Sequence, residues 1–215
     1  MQLPSDTSSP STRVRFGRYV ARRLKTAGRS QLAADVASAT LAVKTAARVV
    51  DDRDDEIQDP LADRDAADDA LDRAAQELRT ALLGRSVDAA KVAPYVNIFP
   101  DGIGAYTAAP LDAEVARYTE LKSRVEKELP ATDAARVAVV AAISAGLQTF
   151  TTAVAAVDAA RTALSLAQTD LDRATDAWER LLEKVYGTLI AEVGKGAAED
   201  FFPPGRTRTR TRPTE

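Results

Sequence analysis

Between residues 133 and 193 the apolar positions of the chain fall into step. Ile143, Phe150, Val157, Leu164, Leu171, Trp178 and Val185 lie seven apart. Leu147 and Val154 fill a second position four residues on, and Ala160, Ala167, Ala174 and Leu181 fill it three residues on in the later repeats. Alternating threes and fours are the seam of a coiled coil, kept here for about six heptads with no proline. The pattern predicts one continuous helix over 133–193, roughly 90 Å long at about 1.5 Å per residue. Gly146 and Gly187 each weaken it by about 1 kcal/mol relative to alanine without breaking the repeat.

The first half carries the same rhythm. Leu32, Val36, Ala39, Val43, Ala46 and Val50 form one block, Leu71, Ala74, Leu78 and Ala81 another, and the phase survives the segment between them. Pro60 stands in that segment and either kinks a helix or opens a new one behind Asp59. The reading favoured is one kinked helix over 28–84, antiparallel to the long one, because no glycine closes a turn. A helical hairpin turning near Gln58 is the alternative. Leu111, Val115, Tyr118, Leu121, Val125 and Leu129 trace the face of a short third helix over 112–129, which Pro130 ends.

The expected fold is therefore all-α: an elongated, antiparallel, coiled-coil-like bundle of two long helices and a short third. Three regions follow. Residues 1–27 form a flexible basic arm, partly helical, 28–196 the helical body, and 197–215 a disordered basic tail. Composition agrees with this class. The 215 residues are 45% hydrophobic, mostly Ala, Val and Leu, and only 5% aromatic, which suits close helix–helix contact better than a sheet.

Charge is segregated. Residues 1–30 carry Arg13, Arg15, Arg18, Arg22, Arg23, Lys25 and Arg29 against Asp6, and the tail carries Arg206, Arg208, Arg210 and Arg212 against Glu215. Of a net charge of −3, these ends hold +6 and +3, leaving −12 in the middle. The acid concentrates in DDRDDEIQDPLADRDAADDALD, residues 51–72, with eleven carboxylates against two arginines. It lacks the alternating oxygens, the glycine and the closing glutamate of a calcium loop, so it reads as a solvated helix face or a docking surface for a basic segment.

The chain has no cysteine and no histidine. Disulfides, thiolate nucleophiles, zinc–sulfur sites, histidine triads and the Glu-x-x-His di-iron pattern are thereby excluded. No cofactor and no metal are expected, and no catalytic residue is assigned. The N-terminus lacks the apolar core of a secretory signal, and no uninterrupted run of about 18 apolar residues marks a membrane span, so a cytoplasmic protein is expected.

Three stretches are candidates for interaction. The arm RVRFGRYVARRLKTAGR interleaves apolar residues with Arg13, Arg15, Arg18, Arg22 and Arg23. It either packs on the bundle or meets a protein, nucleic acid or an anionic membrane. The loop YVNIFPDGIGAYT places Tyr95, Phe99 and Tyr106 either as caps on the bundle or as a recognition surface. EDFFPP offers Phe201 and Phe202 as a plug or as a peptide ligand, and the arginines of the tail can touch phosphate weakly. The function expected is non-enzymatic: a structural or scaffolding component that self-associates or docks a partner. An anionic-surface binder is the alternative.

Overall fold

The structure, a computed structural model, describes residues 1–5 and 7–204. Helix accounts for 79% of the structure and no strand occurs among the described residues, so the all-α class holds. In chain order the helices are α1 (Pro10–Thr26), α2 (Ser30–Glu56), α3 (Gln58–Leu83), α4 (Tyr95–Ile98), α5 (Gly104–Thr107), α6 (Glu114–Glu128), α7 (Ala134–Val193) and α8 (Lys195–Glu199). The chain divides into two compact units, Met1–Asp55 with Thr162–Glu215, and Glu56–Arg161. Helix α7 supplies residues to both.

Between α2 and α3 the helix is interrupted at Ile57 alone, whose φ of −70° and ψ of −25° are helical. Leu61 N still donates to Ile57 O at 3.2 Å. The backbone at this point is that of a break in a helix rather than a reversing turn. Pro60 is the physical cause, since it has no N–H to give to Glu56 O.

In the unit Glu56–Arg161, the buried side chains come from one face of α3 (Ala67, Leu71, Ala74, Ala75, Leu78, Leu82), from α6 (Tyr118, Leu121, Val125) and from the first half of α7 (Val139, Ile143, Phe150). Residues 74–81 of α3 meet 135–142 of α7, and residues 63–70 meet 145–156, so the two helices run antiparallel within this unit. Gly146 permits the approach, because a methyl there would lie 2.7 Å from Leu71 Cδ2.

In the other unit, Val20 and Leu24 of α1, Val36 and Val43 of α2, and Trp178, Leu182, Val185 and Leu189 of α7 form one core with Ala198 and Phe202. Ser9 caps α1 by accepting from Thr12 N at 3.3 Å, with Pro10 in the first turn. Gly28, with φ +76°, makes the left-handed turn into α2. At Gly17, α1 comes so close to its neighbours that a methyl would run into Thr40 Oγ1 and lie 2.9 Å from Trp178 Nε1.

Four expectations are corrected here. Residues 10–26 are not a flexible arm: Val20 and Leu24 are fully buried, and burying them orders the helix. The stretch 197–204 is not a disordered tail, because Gly194 (φ +78°) ends α7, α8 follows, and Phe202 is buried against Phe16 and Tyr186. The second seam position late in α7 lies four residues on, as it does earlier, and not three: Leu182 and Leu189, not Leu181, are fully buried, and Leu82, not Ala81, closes the face of α3. Steps of three and of four both stay on one side of a helix with about 3.6 residues per turn, so spacing alone does not decide between Leu181 and Leu182. On α6 the buried stripe begins at Glu114 and Tyr118, whereas Leu111 and Val115 are 43% and 44% exposed.

A buried carboxyl cluster and a groove of small residues

The acidic segment splits by depth. Asp51, Asp52, Asp54, Asp55 and Glu56 at the end of α2 are exposed, as are Asp59, Asp63, Asp65 and Asp69 on α3. Asp68 and Asp72 are half-buried. They sit four apart, hence on one face of α3. Glu114 and Tyr118, also four apart, stand opposite on α6. Tyr118 is fully buried and its Oη donates to Asp72 Oδ1 at 2.6 Å. Glu114 is only 2% exposed and comes within hydrogen-bonding reach of Asp68.

Burial sets the electrostatics. Desolvation first, then the charges of Asp68 and Asp72, pushes Glu114 up to about 7. Asp68 rises as well, through burial and then through Asp72, Asp69 and Asp65, with Arg64 pulling the other way. Burial and the bond to Asp72 push Tyr118 up, so it remains an O–H donor. Asp68 Oδ1 and Glu114 Oε2 are buried with no hydrogen-bond partner. Among the described residues, no group of three or more acidic side chains is placed to hold a metal ion.

A second feature of the same unit lies beside the core. Ala138, Ala142, Ala145, Thr149, Thr152 and Ala156 follow one another by fours and threes along α7 and are all exposed. With Ala66, Ala70 and Gly146 most of them line a groove of about 780 Å³ between α3 and α7, with Asp63 at its rim. From 137 to 157 α7 carries no charge. It contains an 18-residue window that is long and apolar enough to cross a membrane by length and composition, and only 22% of that window is buried. The heptad pattern marks the buried seam and not this neighbouring stripe, whose alanines and threonines carry no signal one at a time.

Arg13 is buried, bonded to Glu179 Oε1 at 3.3 Å, to Ser5 O at 3.3 Å and to Ser8 O. Arg15, Arg18 and Arg22 are exposed, and Arg23 reaches Asp200 O at 3.1 Å. Phe99 and Tyr106 are buried, with Tyr95 half-buried. Their rings pack in succession, Tyr95 to Phe99 at 5.4 Å, Phe99 to Tyr106 at 5.8 Å and Tyr106 to Tyr118 at 6.4 Å. They cap a core rather than present a recognition surface. Phe202 is buried, and Phe201 lies half-buried under the Arg29 guanidinium, 5.7 Å from ring to charge. Arg206, Arg208, Arg210 and Arg212 lie outside the described residues.

No protein-family model, curated protein or solved structure matches this chain.

Proposed function

We propose that the protein is a non-enzymatic scaffold that works by helix packing. Its helices pair antiparallel in coiled-coil fashion, and the groove between α3 and α7 receives a further helix from a second copy or a protein partner. The observation that carries this reading is the exposed stripe from Ala138 to Ala156 on a charge-free stretch of α7. Small side chains let a helix backbone come close, and an exposed apolar patch of this kind marks an interaction surface. The acidic rim of α3 favours a helix with basic flanks, such as one that presents arginines like those of α1.

Self-association is tested by sedimentation of the full chain over a range of concentration and salt. Ala145→Glu places a charge in the groove and is expected to weaken association at least about tenfold, because a charge buried without a partner costs several kcal/mol. Ser144→Glu, on an exposed position outside the groove, is the control and leaves it unchanged. Equal association of both variants with the parent chain would overturn the groove as the interface.

A second reading rests on α1. Packing of Val20 and Leu24 uses up its apolar side, and Arg15, Arg18 and Arg22 remain exposed at spacings of three and four on one face. That leaves a cationic face for phosphates rather than an amphipathic helix for insertion into lipid. Replacing all three by Ser should abolish any binding to duplex DNA seen at low salt. Binding unaffected by the replacement would exclude α1 as its source.

A further inference from the structure

Among the described residues, two buried side-chain oxygens lack a partner, and they belong to neighbouring carboxyl groups: Asp68 Oδ1 on α3 and Glu114 Oε2 on α6. As carboxylates neither can donate, so each leaves the other unsatisfied, and two like charges in a site of low dielectric repel strongly. One added proton removes both defects at once, since one oxygen then donates to the other. The geometry points to a single proton shared by Glu114 and Asp68 that latches α6 onto α3 and is given up as the pH rises.

The surroundings make the proton the fitting occupant. From α3 the charged groups near the pair are Asp65, Asp69 and Asp72, all acidic, and Arg64, whose guanidinium is bound to Asp65 at 2.6 Å. From α6, Tyr118 spends its hydrogen on Asp72, and Arg117 is exposed and 3.6 Å from Glu120. Tyr106 of α5 brings a ring to Tyr118 and gives its own hydrogen to Ile98 O. The stretch of α7 from 137 to 157 has no titratable side chain. Among the described residues, Arg64 is the basic group near the pair, and it is spent on Asp65. The position of Glu114 in the first turn of α6 favours a carboxylate through the helix dipole, but by less than full burial disfavours it.

The pH window follows. The ordinary value for glutamate is 4.5, and in this fold Glu114 is pushed up to about 7. Below 4.5 folded and unfolded chains both hold the proton and the latch contributes in full. Between 4.5 and 7 the folded unit binds a proton that the unfolded chain has lost, so stability falls as pH rises, and above 7 the contribution is gone. Asp68 is raised too and acts with the same sign. Asp133 is lowered and acts with the opposite sign, only below its ordinary 3.8 and so outside this window.

The test is urea unfolding of the full chain from pH 5 to pH 8, together with a carbon-13 NMR titration of the Glu114 carboxyl. The unfolding constant is expected to rise on the order of a hundredfold across that range, as two pH units of linkage to one proton require. Glu114 should titrate near 7. Glu114→Gln supplies a permanent N–H to Asp68 and should flatten the dependence. Asp68→Asn removes the neighbouring charge, donates to the Glu114 carboxylate and should move its midpoint down toward the ordinary range. A Glu114 midpoint near 4.5 in the parent chain, or an undiminished slope in Glu114→Gln, overturns the latch. Should Glu114→Gln not fold, the parent titration and Asp68→Asn decide on their own.

Discussion

Trp178→Ala is expected to cost about 3–5 kcal/mol of stability, measured by circular dichroism in urea. The ring is fully buried in the core that α7 shares with α1 and α2. Phe16 meets it edge-on at 6.0 Å and 75°. Its Nε1 donates to Thr40 Oγ1 at 3.1 Å, and Thr40 gives its own hydrogen to Val36 O at 2.7 Å. Loss of the indole therefore opens a large hole without leaving an orphaned donor, and the cost is one of packing. Collapse is hindered, because Gly17 already brings α1 as close to Thr40 as its backbone allows. Trp178→Phe keeps much of the volume and should recover most of the loss. A Trp178→Ala cost near 0.5 kcal/mol, the usual size for surface sites, would mean that the ring does not hold this core together.

In the other unit Leu71→Ala should cost about 2–5 kcal/mol, and its size should depend on residue 146. Leu71 is fully buried against Gly146. Gly146→Ala alone improves helix propensity by about 1 kcal/mol but sets a methyl 2.7 Å from Leu71 Cδ2 and 3.0 Å from Cγ. Overpacking of that kind costs about 1–3 kcal/mol, so the single variant should be neutral to destabilised. With Leu71 already cut to alanine the clash is gone, and the new methyl fills part of the hole. The double variant should be more stable than the two single costs imply, by a coupling of about 0.5–3 kcal/mol. Additive costs from the same urea melts would show that the two helices do not meet at this pair.

Much of this architecture is legible in the pattern of apolar residues. The long helix is found where the heptads put it, and Ile143, Phe150, Val157, Trp178 and Val185 are buried as their spacing predicts, whereas Leu164 and Leu171 of the same series are only half-buried. Pro60 marks the break between α2 and α3. The pattern fails where burial depends on a partner that spacing cannot reveal. The charges of α1 suggest an arm in solvent, yet Val20 and Leu24 find a core and even Arg13 is drawn in beside Glu179. Thr40 is buried because the indole needs an acceptor there. Glu114 stands in line with Tyr118, Leu121 and Val125, so an acid in an apolar stripe is visible, but the greater hydrophobicity of Leu111 and Val115 masks it. The aromatics of 95–106 belong to a core for the same reason: one ring leads to the next until Tyr118 is reached.

Trp178 is the only tryptophan in the chain, and it lies wholly within one of the two cores. The protein thus carries an optical label for the unit built from α1, α2 and the end of α7, while the unit with the carboxyl pair has only tyrosines and phenylalanines. Indole emission follows the melting of the first unit alone, and the far-ultraviolet signal follows both. Coincidence of the two curves identifies a single cooperative molecule, and their separation measures how independently the halves of α7 can lose their partners.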